Sequence, residues 1–348
     1  MQKKILTAAV AAAFVAPAAA WAQSTVVLYG LVDVGYQNVS KYQATATNKS
    51  GFSSGGARSS RLGARATEDL GGGLSAGAVI EFDIQGDTGA TSATGVTQRQ
   101  TFVSLYNTNW GELSLGRQTT HSYTNVLLAD GIAGGNSFQS FYTMEDQITR
   151  ASNYVKYSSP LIGGGFTFGV GAAPGESATP GTKNHGNYLD MHVRWAQGPF
   201  GIGLAHARTK TNTSPAADFN EKDTSLAAYY KFSGWRLYGV HSRSKQDGTG
   251  AGESFRLNGA RAEVDIGKGI LAFSVAKRKN KLVADADTSF WGIGYYHQMT
   301  TRTQFYATYG RIKNETGGTL TLDGAWTGST VGAGFDPRGF QVGMGHSF

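Results

Sequence analysis

The charged residues of this 348-residue chain recur at even spacings, and none is grouped as a reactive centre is. Arg61 and Arg65 stand four positions apart, and Glu81 and Asp83 two apart. Even spacing places both members of a pair on one face of a β-strand. Ser60 to Thr67 alternates in this way, with Arg61, Gly63, Arg65 and Thr67 opposite Leu62, Ala64 and Ala66. Leu74 to Gln85 sets an apolar face (Leu74, Ala76, Ala78, Ile80, Phe82, Ile84) against a largely polar one that carries Glu81 and Asp83. Arg150 and Lys156 likewise share a face, whereas Arg99 has an open parity because Val103 and Leu105 fall on its side. Guanidinia and carboxylates fixed beside water make a field that sorts ions. They break no bonds. The 7 histidines are scattered, Cys is absent, and neither G-x-S-x-G nor H-E-x-x-H occurs, so no catalytic residue, cofactor or metal site is expected. Asp285-x-Asp287 is the one pair with a hint of Ca²⁺ ligation, and two carboxylates are an incomplete ligand set.

The elements that position these charges are strands. Period-two alternation recurs throughout, and no run of comparable length repeats at 3.6. Sixteen candidate strands begin near Val26, Ser60, Leu74, Arg99, Glu112, Ala151, Phe166, Tyr188, Phe200, Thr224, Trp235, Phe255, Ile270, Ser289, Thr303 and Gly339. Short turns such as Gly71-Gly72-Gly73, Ser233-Gly234 and Gly267-Lys268-Gly269 alternate with long polar stretches, among them 43–58, 86–97, 173–187, 209–223, 245–252 and 314–338. The last ten residues alternate to the end, with Phe340, Val342, Met344, His346 and Phe348 on one face. A strand that shows lipid its apolar face and closes a barrel reads this way.

Composition agrees. Met1 to Lys4 is basic, Ile5 to Ala20 is apolar, and Ala20-Trp21-Ala22 is an A-x-A cleavage site, so residues 1–22 read as a secretory signal peptide. Residues 23–348 then form the barrel, with a net charge of +5 after Lys3 and Lys4 are removed from the +7 of the whole chain. Gly, at 49 residues, is about twice as common as usual. No later stretch is long and apolar enough for a membrane helix. Lys and Arg are dispersed rather than striped, which argues against nucleic acid. A string of soluble β-sandwiches would need linkers, and none is evident. The fold class is therefore an all-β transmembrane antiparallel β-barrel of about 16 strands.

One segment breaks the rhythm. Residues 118–149 lack alternation but carry Leu127, Leu128, Phe138, Phe141, Tyr142 and Met144, too apolar for a solvated loop. Folding into the lumen against the wall would account for them. Its carboxylates are Asp130, Glu145 and Asp146, of which Asp130 is a candidate to face the arginines.

Five stretches in order carry a family resemblance: Val27–Asp33, Ser60–Gly71 (S-R-L-G-A-R-A-T-E-D-L-G), Arg99–Leu105, Trp110–Arg117 and the terminal Phe348. The chain resembles the general Gram-negative outer-membrane porins, trimeric diffusion porins of the β-proteobacterial type. Ala66 and Ser104 stand where Gly is common, and no basic residue precedes Phe348. The resemblance implies sixteen strands, a homotrimer joined at the early strands, a third loop that narrows the pore, and reading of Phe348 by the barrel-assembly machinery. It implies a constriction lined by Arg61, Arg99 and Arg150, with Glu81 facing the basic cluster. The acidic P-E-F-G tip of enterobacterial relatives is absent. Partners would be outer-membrane lipid, lipopolysaccharide, and small hydrophilic solutes and ions, with a weak anion preference. A solute-specific channel, with Tyr123, Phe138, Phe141 and Tyr142 as stacking aromatics, is the alternative; a barrel enzyme would need a catalytic set that is lacking. Tyr29, Trp235, Trp291, Phe305, Tyr309, Phe340 and Phe348 are expected at the membrane interfaces.

Overall fold

The computed structural model describes residues 24–41, 48–91, 99–132, 137–141, 144–145, 147–177, 182, 184–214, 216–252, 254–322 and 332–348. The expected signal peptide lies outside them. Strands are β1 (Thr25–Ser40), β2 (Asn48–Ser54), β3 (Arg61–Gly71), β4 (Leu74–Asp83), β5 (Gln100–Asn107), β6 (Gly111–Thr119), β7 (Arg150–Ser158), β8 (Phe166–Ala173) and β9 (Tyr188–Gln197). They continue with β10 (Phe200–Ser214), β11 (Ala217–Phe232), β12 (Trp235–Thr249), β13 (Ser254–Ile266), β14 (Gly269–Asn280), β15 (Thr288–Gln298), β16 (Thr303–Asn314) and β17 (Arg338–Ser347). Each pairs antiparallel with its neighbours, and β1 pairs with β17, which closes the sheet. β2 pairs with Val34–Ser40 and β3 with Thr25–Leu31, both on β1. They are two halves of one wall strand, so the barrel has 16 strands.

Closure removes the unpaired edges that an open sheet would expose. The outer face is apolar: Phe168, Val170, Met191, Val193, Leu204, Leu226, Trp291 and Phe340 are all exposed there. A water-soluble chain seldom shows so much apolar surface, whereas lipid solvates it. Among the described residues no helix is long and apolar enough to cross a membrane. At the seam Phe348 exchanges two 3.0 Å backbone hydrogen bonds with Gly30. Its ring covers Gly30 so closely that a Cβ there would lie 2.3 Å from the ring Cζ. Only glycine fits beneath it.

Three stretches expected as polar connections contain strand instead. Segment 43–58 holds β2, 209–223 is mostly the ends of β10 and β11, and 245–252 holds the end of β12. There both faces are polar, so alternation fades while the ladder continues; antiparallel pairing needs no apolar face. Polar cross-strand contacts such as Arg208 Nε to Asn220 Oδ1 (3.0 Å) and Lys222 Nζ to Asp247 Oδ2 (3.0 Å) occupy these extensions.

Between β6 and β7 the chain turns inward. Thr120 caps a short helix, α1 (His121–Val126), its hydroxyl accepting from the Tyr123 amide at 3.2 Å, and a 3₁₀ turn (Leu127–Ala129) follows. The segment then runs across the interior to the far side: Ile132 N donates to Glu263, and Phe138 N donates to Gln341 of β17. Phe138, Phe141 and Met144 are buried with Tyr238, Val240, Phe255, Leu257, Phe290 and Ile312 of the wall. That side of the interior is thus a packed core.

Candidate pore constriction

Register sets the charged wall. Arg61 pairs with Asp83 and Gly63 with Glu81 across β3 and β4, and Glu81 pairs with Gln100 of β5. Residues directly opposite share a face, so Arg61, Arg65, Glu81 and Asp83 point the same way. Arg99 precedes β5 in a bend, which removes its parity ambiguity. Its Nε donates to Glu81 Oε1 at 2.5 Å, and its Nη1 lies 3.6 Å from Asp83 Oδ1. Tyr29 donates its hydroxyl to the other Glu81 oxygen at 3.1 Å. Arg61 Nε donates to the Ser59 carbonyl at 3.0 Å. Arg150 opens β7 opposite Thr119, and its Nε is buried with no hydrogen-bond partner among the described residues.

Arg61, Arg99 and Arg150 converge. Arg61 and Arg150 each feel the charge of Arg99 and of Glu81, and both act on the phenol of Tyr123 from α1. Burial pushes that phenol above its ordinary range, while the three arginines pull it down and Asp130 pushes it up. Arg65, two periods of alternation further along β3, is exposed and acts with Arg61 on Tyr29. Glu81 and Asp83 stand beside the arginines on the same wall and not across from them.

Asp130 has another task. Its Oδ1 accepts from Arg261 Nη2 at 3.0 Å and from Ser140 Oγ at 2.7 Å, all buried. It pins the inserted segment to β13. Burial raises the Asp130 carboxyl, against the pull of Arg261. Glu145 accepts from Ser242 Oγ on β12 at 2.8 Å, and Asp146 and Tyr142 lie outside the described residues. Arg278 adds a third tie, donating to the Met144 carbonyl at 3.1 Å with its guanidinium 3.6 Å from the centre of the Phe255 ring.

The start of α1 is held as firmly. Asp190 accepts from the Ser122 amide (2.9 Å), the Tyr188 hydroxyl (3.0 Å) and the Tyr154 hydroxyl. His121, pushed down to about 3 chiefly by burial, is neutral and donates from Nε2 to the Tyr157 carbonyl at 2.9 Å. Arg261, Arg278 and the Asp190 cluster carry no motif, and inward parity was the only sign of them. No group of three His, Asp or Glu able to hold a metal occurs among the described residues, and Asp287 is occupied by the Asn280 amide at 3.1 Å.

The profile of the Gram-negative porins matches residues 7–317. The chain belongs to that family. Porins are outer-membrane channels, and this one is an outer-membrane diffusion channel. The porin is 34% identical to outer membrane porin protein 32 of Delftia acidovorans, with all of both chains covered. It is 25% identical to an outer membrane porin protein of Bordetella pertussis, over 90% of this chain and 95% of that one. Among solved structures it resembles an anion-selective porin from Comamonas acidovorans, with a TM-score of 0.84, 31% identity, and coverage of 94% of this chain and all of that one. A loop-deletion mutant of OmpT from Vibrio cholerae, at 16% identity and a TM-score of 0.68 over 93% of this chain and 99% of that one, shares the fold.

Proposed function

We propose that this porin is a non-enzymatic, homotrimeric general diffusion channel with a weak preference for anions, and that Arg61, Arg99 and Arg150 set that preference. The observation that carries the reading is the convergence of three guanidinia with, among the described residues, two carboxylates beside them, Glu81 and Asp83, while Asp130 and Glu145 are spent on the opposite wall. Arg65 extends the positive field along β3. A unit charge about 4 Å from an ion in bulk-like water is worth ~1 kcal/mol, and salt screens it. The result is a bias of a few-fold, not an absolute filter. The likeness to a porin described as anion-selective agrees, and a related solved structure is described as a trimer.

The reading extends to partners and export. Residues 1–22 direct export, and Phe348, seated on Gly30, is what the barrel-assembly machinery reads. Outward-facing Arg208, Lys222, Lys245, Arg256, Lys279 and Lys313 band the barrel between β10 and β16 toward the long connections and share their faces with Leu204, Leu226, Phe273 and Phe305. Such a girdle suits the phosphates of lipopolysaccharide. The solute-specific alternative loses ground, since Phe138 and Phe141 are buried in the core and cannot stack on a passing solute.

Reversal potential of the purified trimer across a salt gradient tests the proposal. Wild type should favour anions, with conductance proportional to bulk salt. Arg61→Ala with Arg150→Ala should move the potential toward cations, and an unmoved potential would rule the arginine assignment out.

A further inference from the structure

The wall strand made of β2 and β3 is interrupted at residues 55–60, and the interruption is built. Val32 and Asp33 of β1 lie between the stretches that pair with β2 and β3, and Asp33 organises the whole detour. Its carboxylate accepts from the amides of Gly56 (3.1 Å), Ala57 (3.2 Å) and Arg58 (3.0 Å) and from the Tyr306 hydroxyl (2.7 Å). Its carbonyl accepts from the Gly55 amide at 2.7 Å and the Ser60 hydroxyl at 3.0 Å, and its amide donates to Ser60 Oγ at 2.9 Å. Asp33 is 1% exposed. A carboxylate with three backbone donors fixes a loop as an oxyanion nest would.

The glycines permit the path. Gly55 has φ +75°, and a Cβ on Gly56 would lie 2.3 Å from the Tyr306 hydroxyl. The detour runs inward, because Ala57 is buried against Ala272, Tyr296 and Tyr306 of β14, β15 and β16 and Ile132 of the inserted segment. Two inserted pieces therefore meet inside the barrel. The residue that follows Ala57 is Arg58. Its charge acts on Arg61, and its Nε is buried with no hydrogen-bond partner among the described residues.

We propose that residues 55–60 are a second constriction element, in which Arg58 is a further selectivity-determining cation and Asp33 the positioning residue that holds it at the arginine cluster. The inference rests on the anion-selective reading and adds to it a charge held by a loop instead of a strand. Asp33 separates field from position. Removing its negative charge would by field alone favour anions. Letting the detour go would move Arg58 away and favour cations.

The test is the reversal potential of wild-type, Arg58→Ala, Arg58→Lys and Asp33→Asn trimers under one KCl gradient. Arg58→Ala should lower the anion-to-cation permeability ratio about two- to five-fold, and Arg58→Lys should restore most of it. Asp33→Asn should move the ratio toward cations, and adding Arg58→Ala to it should change little more. If Asp33→Asn does not assemble, Tyr306→Phe removes one of the carboxylate's donors and should give a smaller shift of the same sign. An unchanged ratio in Arg58→Ala overturns the role of Arg58. A shift toward anions, or none, in Asp33→Asn overturns its positioning role. A wild type without anion preference would defeat the underlying reading, yet the shift in Arg58→Ala would still measure the inference.

Discussion

The two sides of the barrel interior are built on the same two-residue period and end as opposite materials. From β3 to β5 the inward positions hold Arg61, Glu81 and Asp83, joined by Arg99 ahead of β5 and Arg150 at the start of β7. From β11 to β17 they hold Ala227, Tyr238, Val240, Leu257, Phe290 and Ile312, sealed beneath Phe138, Phe141 and Met144. The covered wall gives rigidity to the inserted segment, and that segment holds Tyr123 at the charged wall. Selectivity on one side depends on packing on the other.

The strongest way to break this division is to unpin the segment. Arg261→Ala leaves Asp130 buried without its cation, and losing one partner of such a pair costs about 3–5 kcal/mol. A lower thermal midpoint with larger, noisier single-channel currents is expected; unchanged currents would show that Asp130 is not the pin. Met144→Ala attacks the same seat through its packing. Met144 is fully buried, so a loss of about 2–4 kcal/mol is expected, read by denaturant titration, with the reversal potential changing only as far as the segment moves. Glu81→Gln acts on the charged wall alone. Gln keeps an acceptor for Arg99 and Tyr29 but removes a negative charge, so the anion preference should rise by at most a few-fold; a fall would mean that Glu81 serves mainly to place Arg99.

Acid probes the anchored start of α1. His121 titrates near 3 in the folded chain against 6.5 ordinarily. Between those values the unfolded chain binds more protons, so the contribution of His121 is present above pH 6.5 and is lost as pH falls toward 3. The thermal midpoint should decline over that window, less steeply in His121→Gln. Smallest of all is Asp247→Asn on the outer rim, where Asp247 meets Lys222 and Lys245 in solvent. Exposed pairs contribute little, and no change in midpoint should be detectable.

The barrel, most of its strand starts and its closing strand were legible because lipid on one side and water on the other impose period two on the sequence. Arg61 and Arg65 were legible for the same reason. Arg99 was named by resemblance, but its direction could not be read, since a bend ahead of β5 sets it and no residue type announces a bend. Asp130 read as a carboxylate in a lumen loop; its partner lies 131 positions away on β13, and pairing at that distance leaves no local trace. Polar hairpin extensions such as β2 and the ends of β10 and β11 were read as loops because their pattern lacks the apolar half. The covered wall could be inferred only from excess: β12 and β15 carry apolar residues on both faces, as Leu237 with Tyr238 and Phe290 with Trp291 do.

The seam between β1 and β17 has a consequence for the order of assembly. Leu31 pairs with Ser347, and Gln37 and Gln341, 304 positions apart, share a hydrogen bond. No ring of strands exists until every intervening hairpin is available, so the chain cannot mature piecewise as it emerges. Each earlier species is a curved ribbon with two bare edges and an oily back. Such a ribbon needs shelter from other copies until Phe348 comes to rest on Gly30, and that contact is the last stitch.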